Sequence, residues 1–393
     1  MSAKLLIIAG DPSGDQRGAE LIEALYQKAA RGTLQLYGLG GPRMAETPIN
    51  FLFNLVDLSI IGFTEAVKKY FVYRKIFQRQ VVTFLKENKP DAVILIDFYG
   101  FNIHVAQAAG KLNIQVIYYI SPQVWASRAY RIKKLARYVN KMIVIFPFEE
   151  EIYKKAGLDV TFVGHPFLDI TAGIKDKDKK ETIRQLGFNP DEPVVGILPG
   201  SRIQEIDRLL PLMLQAAKKI IRQVPETQFV LPLSPNISSE QVRSYIDKFI
   251  LKEKDTLSIP KLKIIRDNNY HIRSVMTLAL VASGSATLEN ASLGVPMVIV
   301  YKVSFVSYLL ARVLVKIPWI GMANIVAGKK IVPEFIQYKA EADKIAQVAV
   351  DWLLNPDKLC QVKEELSKVK EKLGASGASQ RAAQIILETI AKK

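Results

Sequence analysis

The sequence predicts an α/β protein made of two consecutive doubly wound domains, each built on a parallel sheet. Three observations carry this reading. Short β-branched runs alternate with amphipathic stretches, and that alternation occurs twice along the chain. The 393 residues are too many for one ordinary core and suit two domains of roughly 150–200 residues each. Hydrophobic residues make up 49% of the chain, enough to fill two interiors.

In the first half, Leu5–Ala9, Ala92–Ile96, Gln115–Tyr119, Lys141–Ile145 and Val160–Val163 read as buried parallel strands. Arg17–Ala30 and Ile103–Lys111 read as helices between them. A charged, weakly apolar stretch follows Ile170 and ends at Pro193, which suits a linker with a short helix. The alternation then restarts with Val194–Leu198, Gln228–Leu231, Lys263–Ile265, Leu278–Ala282 and Met297–Tyr301. The expected split lies near residue 168, and the chain from Ala340 onward reads as helix rich in Lys and Glu. Two such domains are expected to bring the carboxyl ends of both sheets onto one cleft, where open α/β sheets bind ligands.

Composition narrows the chemistry. The 54 Lys and Arg against 38 Asp and Glu give a net charge of +16, which attracts phosphorylated substrates, anionic lipid or nucleic acid, or simply keeps the surface soluble. The lone Cys360 excludes a disulfide framework within the chain and fits a reducing cytoplasm. His104, His165 and His271 are far apart in sequence, so no metal centre is expected. Lys302, Arg312 and Lys316 interrupt the longest apolar stretch, Met297–Met322, so no segment is expected to cross a bilayer.

Six segments carry candidate chemistry. Gly10-Asp11-Pro12-Ser13-Gly14-Asp15 follows the first strand, where backbone N–H groups hold an anion or sugar hydroxyls, or form a turn capped by Ser13 or Asp15. Leu198-Pro199-Gly200-Ser201-Arg202 with Glu205 opens the second half and gives the sharpest phosphate signal, Arg202 adding a fork of donors suited to a diphosphate. Ser283-Gly284-Ser285-Ala286-Thr287 repeats the pattern, and Glu289 suits ribose hydroxyls or a favourable place near the helix start. Asp97, at a strand end before Asn102, is a candidate general base, with His104 competing and a loop cap as the alternative. Ser121, Gln123 and Trp125 suit sugar stacking and hydrogen bonding, and Arg128, Arg131, Lys133, Lys134 and Arg137 suit phosphate or a solvated helix face. Finally, Ile60–Phe84 with Lys68, Lys69, Arg74, Lys75 and Arg79, and Val303–Pro318, interleave apolar and basic residues as an interfacial surface does.

The stretches AGDPSGD, GFNIHVA, YYISPQVWA, FPFEEEIY, FVGHPFLD, LPGSRIQEI, ASGSATLENASLGVPMVIVYK and IGMANIVAGKKIVPEFIQ together resemble the bacterial lipid-A-disaccharide synthases, in order and from end to end. The resemblance implies a GT-B fold: two Rossmann-like domains facing a cleft, residues 1–168 on the acceptor and membrane side and 169–344 on the UDP-sugar side. C-terminal helices 345–393 would cross back to complete the first. It implies an inverting, metal-independent transfer without a cofactor. The donor would be UDP-2,3-diacylglucosamine and the acceptor 2,3-diacylglucosamine 1-phosphate. The products would be the β-1,6-linked disaccharide 1-phosphate and UDP. The expected location is cytoplasmic, peripheral on the anionic inner face of the inner membrane, and a homodimer through the second domain is allowed.

By the same resemblance, Arg202 matches the arginine at the donor diphosphate, and Ser285, Thr287 and Glu289 match the nucleotide-contacting loop. Asn324 falls near the uridine and phosphate side. Asp11, Ser13 and Asp15 match the acceptor-side loop, and Asp97 or Asp11 would take the proton of the acceptor hydroxyl. The chain departs from the usual pattern with Asp11 in place of Glu, Tyr99 in place of proline, and IGMAN in place of IGMPN. Other readings are a lipid-linked N-acetylglucosamine transferase, a UDP-sugar epimerase, and a non-catalytic nucleotide-sugar or lipid binder. Nucleic-acid binding is not expected, since no recognised motif accompanies the charge.

Overall fold

The computed structural model describes residues 2–60, 66–174, 177–234, 237–252, 259, 261–266, 270–315 and 317–392. Two compact units emerge, Met1–Pro166 with Gly374–Lys393, and Phe167–Leu373. The C-terminal return to the first unit therefore begins at Gly374 and not at residue 345. The helices Ala342–Leu354 and Pro356–Lys372 belong to the second unit, where Ile345, Ala346, Ala349 and Trp352 join the core beneath its sheet.

The first unit holds seven strands: β1 Ala3–Ala9, β2 Leu34–Gly40, β3 Asn50–Asn54, β4 Ala92–Ile96, β5 Gln115–Tyr119, β6 Lys141–Val144 and β7 Val160–Phe162. Their spatial order is β3-β2-β1-β4-β5-β6-β7, and every pairing is parallel. Leu5–Ala9 and all of β4 are fully buried, as strands covered by helices on both faces must be. β2 and β3 were not expected. β2 carries Gly38 and Gly40 because Ile49 and Met44 lie where their Cβ atoms would stand. Glycine weakens the strand signal that a sequence displays.

The second unit holds β8 Val194–Leu198, β9 Gln228–Leu233, β10 Leu262–Arg266, β11 Leu278–Ala282, β12 Met297–Tyr301 and β13 Glu334–Ile336, in the order β10-β9-β8-β11-β12-β13, again parallel. The three-residue β13 was also unexpected.

This topology sets the place of chemistry. In the first sheet the chain order reverses between β1 and β4, and in the second between β8 and β11. Loops leaving those strands diverge to opposite faces and open a crevice at the carboxyl edge. The loops after β1, β4, β8 and β11 are the four segments built around Gly10, Asp97, Gly200 and Ser283.

Candidate active site

At the first edge, Asp11 caps the helix Pro12–Lys28. Its Oδ1 accepts from the Gly14 N–H at 2.6 Å and the Ser13 hydroxyl at 2.8 Å. Pro12 fits the first helical position because it lacks the donor that position leaves unused. The cap is thus Asp11, whereas the sequence pointed to Ser13 or Asp15. Asp15 turns inward, 2% exposed, and accepts from the backbone N–H groups of Gly41, Arg43 and Met44 at 2.7–3.0 Å. That carboxylate fixes the turn after β2 and does not face solvent.

Asp97 ends β4 with φ 42°, and Phe98 follows with φ 45°, two non-glycine residues in the left-handed region. Ile120, at the end of β5, has φ 61°. Such conformations each cost about 1–3 kcal/mol and persist where surrounding bonds enforce them. The enforcement is visible. The Asp97 N–H donates to Ile120 O at 3.1 Å, and the Ile120 N–H donates to Ile143 O at 2.9 Å. The Asp97 carbonyl accepts from Asn102 Nδ2 at 3.0 Å and from the Tyr118 hydroxyl. Asn102 is fully buried and also holds Ile96 O, so it braces the turn. The Phe98 ring lies over Gly10, where any Cβ would collide with it. The first and fourth motifs therefore pack as one unit.

Burial pushes the Asp97 carboxyl up to about 7, and the nearby Asp11 charge adds to the rise, against a hydrogen bond from the Phe98 N–H. His104 sits an edge-on 6.3 Å from Phe77, its basicity lowered by partial burial and then by Lys134.

Ser121 and Trp125 meet at a residue the sequence reading did not single out. The Ser121 hydroxyl and the Trp125 indole N–H both donate to Glu149 Oε1, at 2.6 and 2.9 Å, and the Phe146 N–H donates to Oε2 at 3.3 Å. Glu149 is 1% exposed. Its carboxyl is pushed up to about 7 by burial, with the three donors working the other way and Asp97 adding like charge. The available signal was an acid five residues past the end of β6, in FPFEEE, which also reads as an ordinary helix-start acid. Gln123 is exposed beside this group. Trp125 stacks edge-on against Phe148 at 4.8 Å.

At the second edge, Gly200 has φ 119° and precedes Arg202, the cap of the helix Ile203–Gln223. Glu205 folds back so that Oε2 accepts from the Ser201 and Arg202 N–H groups at 3.0 and 3.3 Å. A Cβ at Gly200 would collide with Glu205. Glu205 thus organises the loop from inside. Arg202 extends outward with its side chain 81% exposed and, among the described residues, a long 3.4 Å contact to Glu205.

After β11, Gly284 and Ser285 are exposed at the start of the helix Ser285–Ser292. Ser285 donates to Glu289 Oε1 at 3.0 Å, and Arg273 forms an ion pair with the other Glu289 oxygen while lying 5.1 Å over the Tyr270 ring. Ser283 donates to Ile320 O at 2.9 Å. Thr287 donates to Gly284 O at 2.8 Å and accepts from the Met322 N–H at 3.1 Å. Asn324 is fully buried. It accepts from the N–H groups of Ile331 and Val332 and donates to Val332 O and Glu334 Oε1, all within 2.8–3.0 Å. Ser283 and Thr287 therefore tie the 320–334 segment to the β11 loop, Asn324 braces that segment from within, and Gly284 and Ser285 stay exposed at the helix start. Arg273 and Glu334 were not anticipated.

Comparison with known proteins agrees with this architecture. The family model described as lipid-A-disaccharide synthetase matches residues 5–389. A protein of Syntrophus aciditrophicus named lipid-A-disaccharide synthase is 40% identical over 100% of this chain and 99% of its own length. One of Geobacter sulfurreducens with the same name is 38% identical over 100% and 98%. Among solved structures, the UDP-GlcNAc 2-epimerase of Neisseria meningitidis bound to UDP-GlcNAc superposes with a TM-score of 0.62 at 15% identity, covering all of both chains. A glycosyltransferase of Rickettsia africae superposes with 0.59 at 12% identity, covering 100% of this chain and 99% of that one. These structural likenesses establish the GT-B fold, which hosts both chemistries, and do not choose between them. The sequence comparison chooses: the chain belongs to the lipid-A-disaccharide synthetase family.

Proposed function

We propose that this glycosyltransferase joins UDP-2,3-diacylglucosamine to 2,3-diacylglucosamine 1-phosphate with inversion, giving the β-1,6 disaccharide 1-phosphate and UDP. The observation that carries the reading is Asp97, a strained carboxylate at the β1/β4 reversal whose proton affinity burial raises to near neutrality. A general base works best with a pKa near the working pH. Asp97 accepts the proton of the acceptor 6-hydroxyl as that oxygen bonds to the donor anomeric carbon. The bond from that carbon to the diphosphate breaks, and its electron pair leaves on UDP. One displacement from the opposite face inverts the anomeric centre. In this reading Arg202 and the exposed starts of the helices Ile203–Gln223 and Ser285–Ser292 stabilise charge developing on the departing diphosphate. Glu289, held by Arg273 and Ser285, faces the nucleoside side.

The substrates are lipids, and the surface suits them. No helix among the described residues is long and apolar enough to cross a membrane. Phe71 and Val72 are 61% and 41% exposed on a helix that also carries Arg74 and Lys75, and a π-helical turn holding Arg79 continues it. In the second unit, Phe305, Leu309 and Val313 form an exposed stripe at four-residue spacing. Lys316 and the side chains of Lys68 and Lys69 lie outside the described residues. Apolar and basic groups together support peripheral attachment to an anionic inner-membrane surface.

The test is UDP release from UDP-2,3-diacylglucosamine with and without the acylated 1-phosphate acceptor. Acceptor-dependent release, abolished in Asp97→Asn and strongly reduced in Arg202→Ala, is the expected result. Full activity in Asp97→Asn would move the base to Asp11 or His104. No release by the wild type, with UDP still bound, would remove the transferase reading. Turnover of UDP-N-acetylglucosamine alone would favour an epimerase.

A further inference from the structure

The family reaction needs a base and a diphosphate anchor, and neither role uses Glu149. Yet Glu149 is a buried carboxylate of the first edge that accepts three hydrogen bonds, two of them from side chains of another loop. Three elements meet on it: the turn after β5 through Ser121 and Trp125, the end of β6 through the Phe146 N–H, and its own helix Pro147–Lys154. The same turn is tied to Asp97 by backbone, since Ile120 sits between Ile143 and Asp97 in the continued ladder. Beneath it, the Tyr153 hydroxyl donates to Pro122 O at 3.0 Å. A carboxylate with no ion pair to satisfy it is costly in such a place. Mere packing would be served by an apolar residue, and mere helix capping by an exposed acid.

We propose that Glu149 is a positioning residue for the transfer, a buried carboxylate that holds the Ser121–Trp125 turn in place and adds its charge to that of Asp11 near Asp97. The inference rests on the reading of Asp97 as base. Ionised Glu149 accepts the Ser121 and Trp125 donors and so fixes the indole that lines the acceptor side. The Asp97 charge adds to the hold of Glu149 on its proton, and since a Coulomb coupling is reciprocal an ionised Glu149 adds to that of Asp97, behind the larger effects of burial and Asp11. The remaining titratable groups in reach are Asp11 beside Asp97, Tyr118 on the Asp97 carbonyl, and Tyr153 below Glu149. Beyond Phe146 lies His165, kept neutral by burial and then by Arg17, and Arg131 lies over the Tyr99 and Tyr130 rings at 4.5 and 5.9 Å.

Two measurements test this on the full chain. The first is the pH profile of kcat/KM for acceptor-dependent UDP release, in wild type, Glu149→Gln and Asp97→Asn. Removing the Glu149 charge should move the acid limb toward lower pH by roughly half a unit or more. An Asp97→Asn variant without activity at any pH, together with an unmoved limb in Glu149→Gln, overturns the role of Glu149 alone. An Asp97→Asn variant that keeps the wild-type profile overturns the base and this inference with it. The second measurement needs no substrate. Tryptophan emission should show a step near neutral pH that is absent in both Glu149→Gln and Trp125→Phe. In Ser121→Ala, which keeps the carboxylate and loses one donor, the step should move to higher pH. A step that survives Glu149→Gln, or stays in place in Ser121→Ala, overturns the proposal.

Discussion

The carboxyl edges of the two sheets share a topology and differ in how they treat their acids. At the first edge, Asp97 and Glu149 are held by neutral donors and backbone, close to each other and to Asp11, and both are pushed up to about 7. At the second, Glu205 is held by two loop N–H groups and Arg202, and Glu289 by Arg273 and Ser285. There Glu334 accepts from the Ile320 and Gly321 N–H groups and from Asn324. The difference bears on the proposed function. Carboxylates kept short of positive partners can exchange a proton near neutral pH. Carboxylates given full partners become framework, and they leave Arg202 and the helix starts outward for an anion. In the function proposed above, the first edge serves proton transfer and the second serves binding.

The comparison breaks first at Asp97. Asp97→Asn should lower kcat by about 10³-fold, within the range that general bases contribute, and leave UDP affinity unchanged. Steady-state kinetics with UDP titration would show it. A loss of UDP affinity instead would mean that the first edge also binds donor.

Next is the stability cost of an acid that resists ionising. The Glu149 carboxyl rises from 4.5 to about 7 on folding, so the folded state holds the proton that the unfolded chain releases. Stability then falls as pH rises from about 4.5 through about 7, by roughly 3 kcal/mol for a shift of this size. His165 acts in the opposite sense. Its folded value is lowered to about 3, so stability is lost as pH falls below 6.5. Urea unfolding of wild type and Glu149→Gln at matched pH removes the His165 contribution from the difference. The wild type should lose ground to the variant between pH 5 and 7.5. Parallel curves would show that Glu149 is satisfied like the acids of the second edge.

Arg202→Ala should reduce kcat by about 10²-fold, the scale of removing one donor from a developing anion. Arg202→Lys should recover only part, because an ammonium cannot reproduce the planar fork. Equal activity in all three would make the exposed Arg202 a mere cap.

How much of this was legible divides along physical lines. β4, β5, β8, β11 and β12 were readable because each is a nearly continuous buried apolar run, two-faced burial leaving few polar residues to blur it. β2, β3 and β13 were not, being glycine-bearing, polar-edged or three residues long. The four loops at the reversal points were readable because small residues at strand ends have a local cause. What was hidden is the direction each side chain takes. Asp15 finds Gly41, 26 residues on; Ser121 finds Glu149, 28 on; Thr287 finds Met322, 35 on. Only the folded topology brings such partners together, so Asp15, Asn102, Thr287 and Asn324 read as ligand contacts and serve as braces. Glu149 stayed unremarked for the same reason.

Asn324 sharpens that lesson. Its four hydrogen bonds are buried, and Asn324→Ala leaves the Ile331 and Val332 N–H groups without acceptors. About 2 kcal/mol of stability should be lost. If Asn324 is a brace, UDP affinity measured well below the melting point should stay within about twofold. A large loss of affinity at unchanged stability would return it to the donor site.

The smallest effect on the fold should come from the exposed stripe of the second unit. Phe305 and Val313 are 75% and 76% exposed, so Phe305→Ser with Val313→Ser removes little buried area. Surface changes of this kind alter stability by about 0.5 kcal/mol or less. Binding to a bilayer is another matter, since burying each such side chain in the interface is worth on the order of 1–2 kcal/mol. Sedimentation with vesicles containing anionic lipid should therefore show the double variant binding about thirtyfold more weakly, or more, at an unchanged melting temperature, with soluble UDP binding intact. Equal sedimentation would leave lipid contact to the first unit, through Phe71 and Val72, and would confine the second unit to the nucleotide.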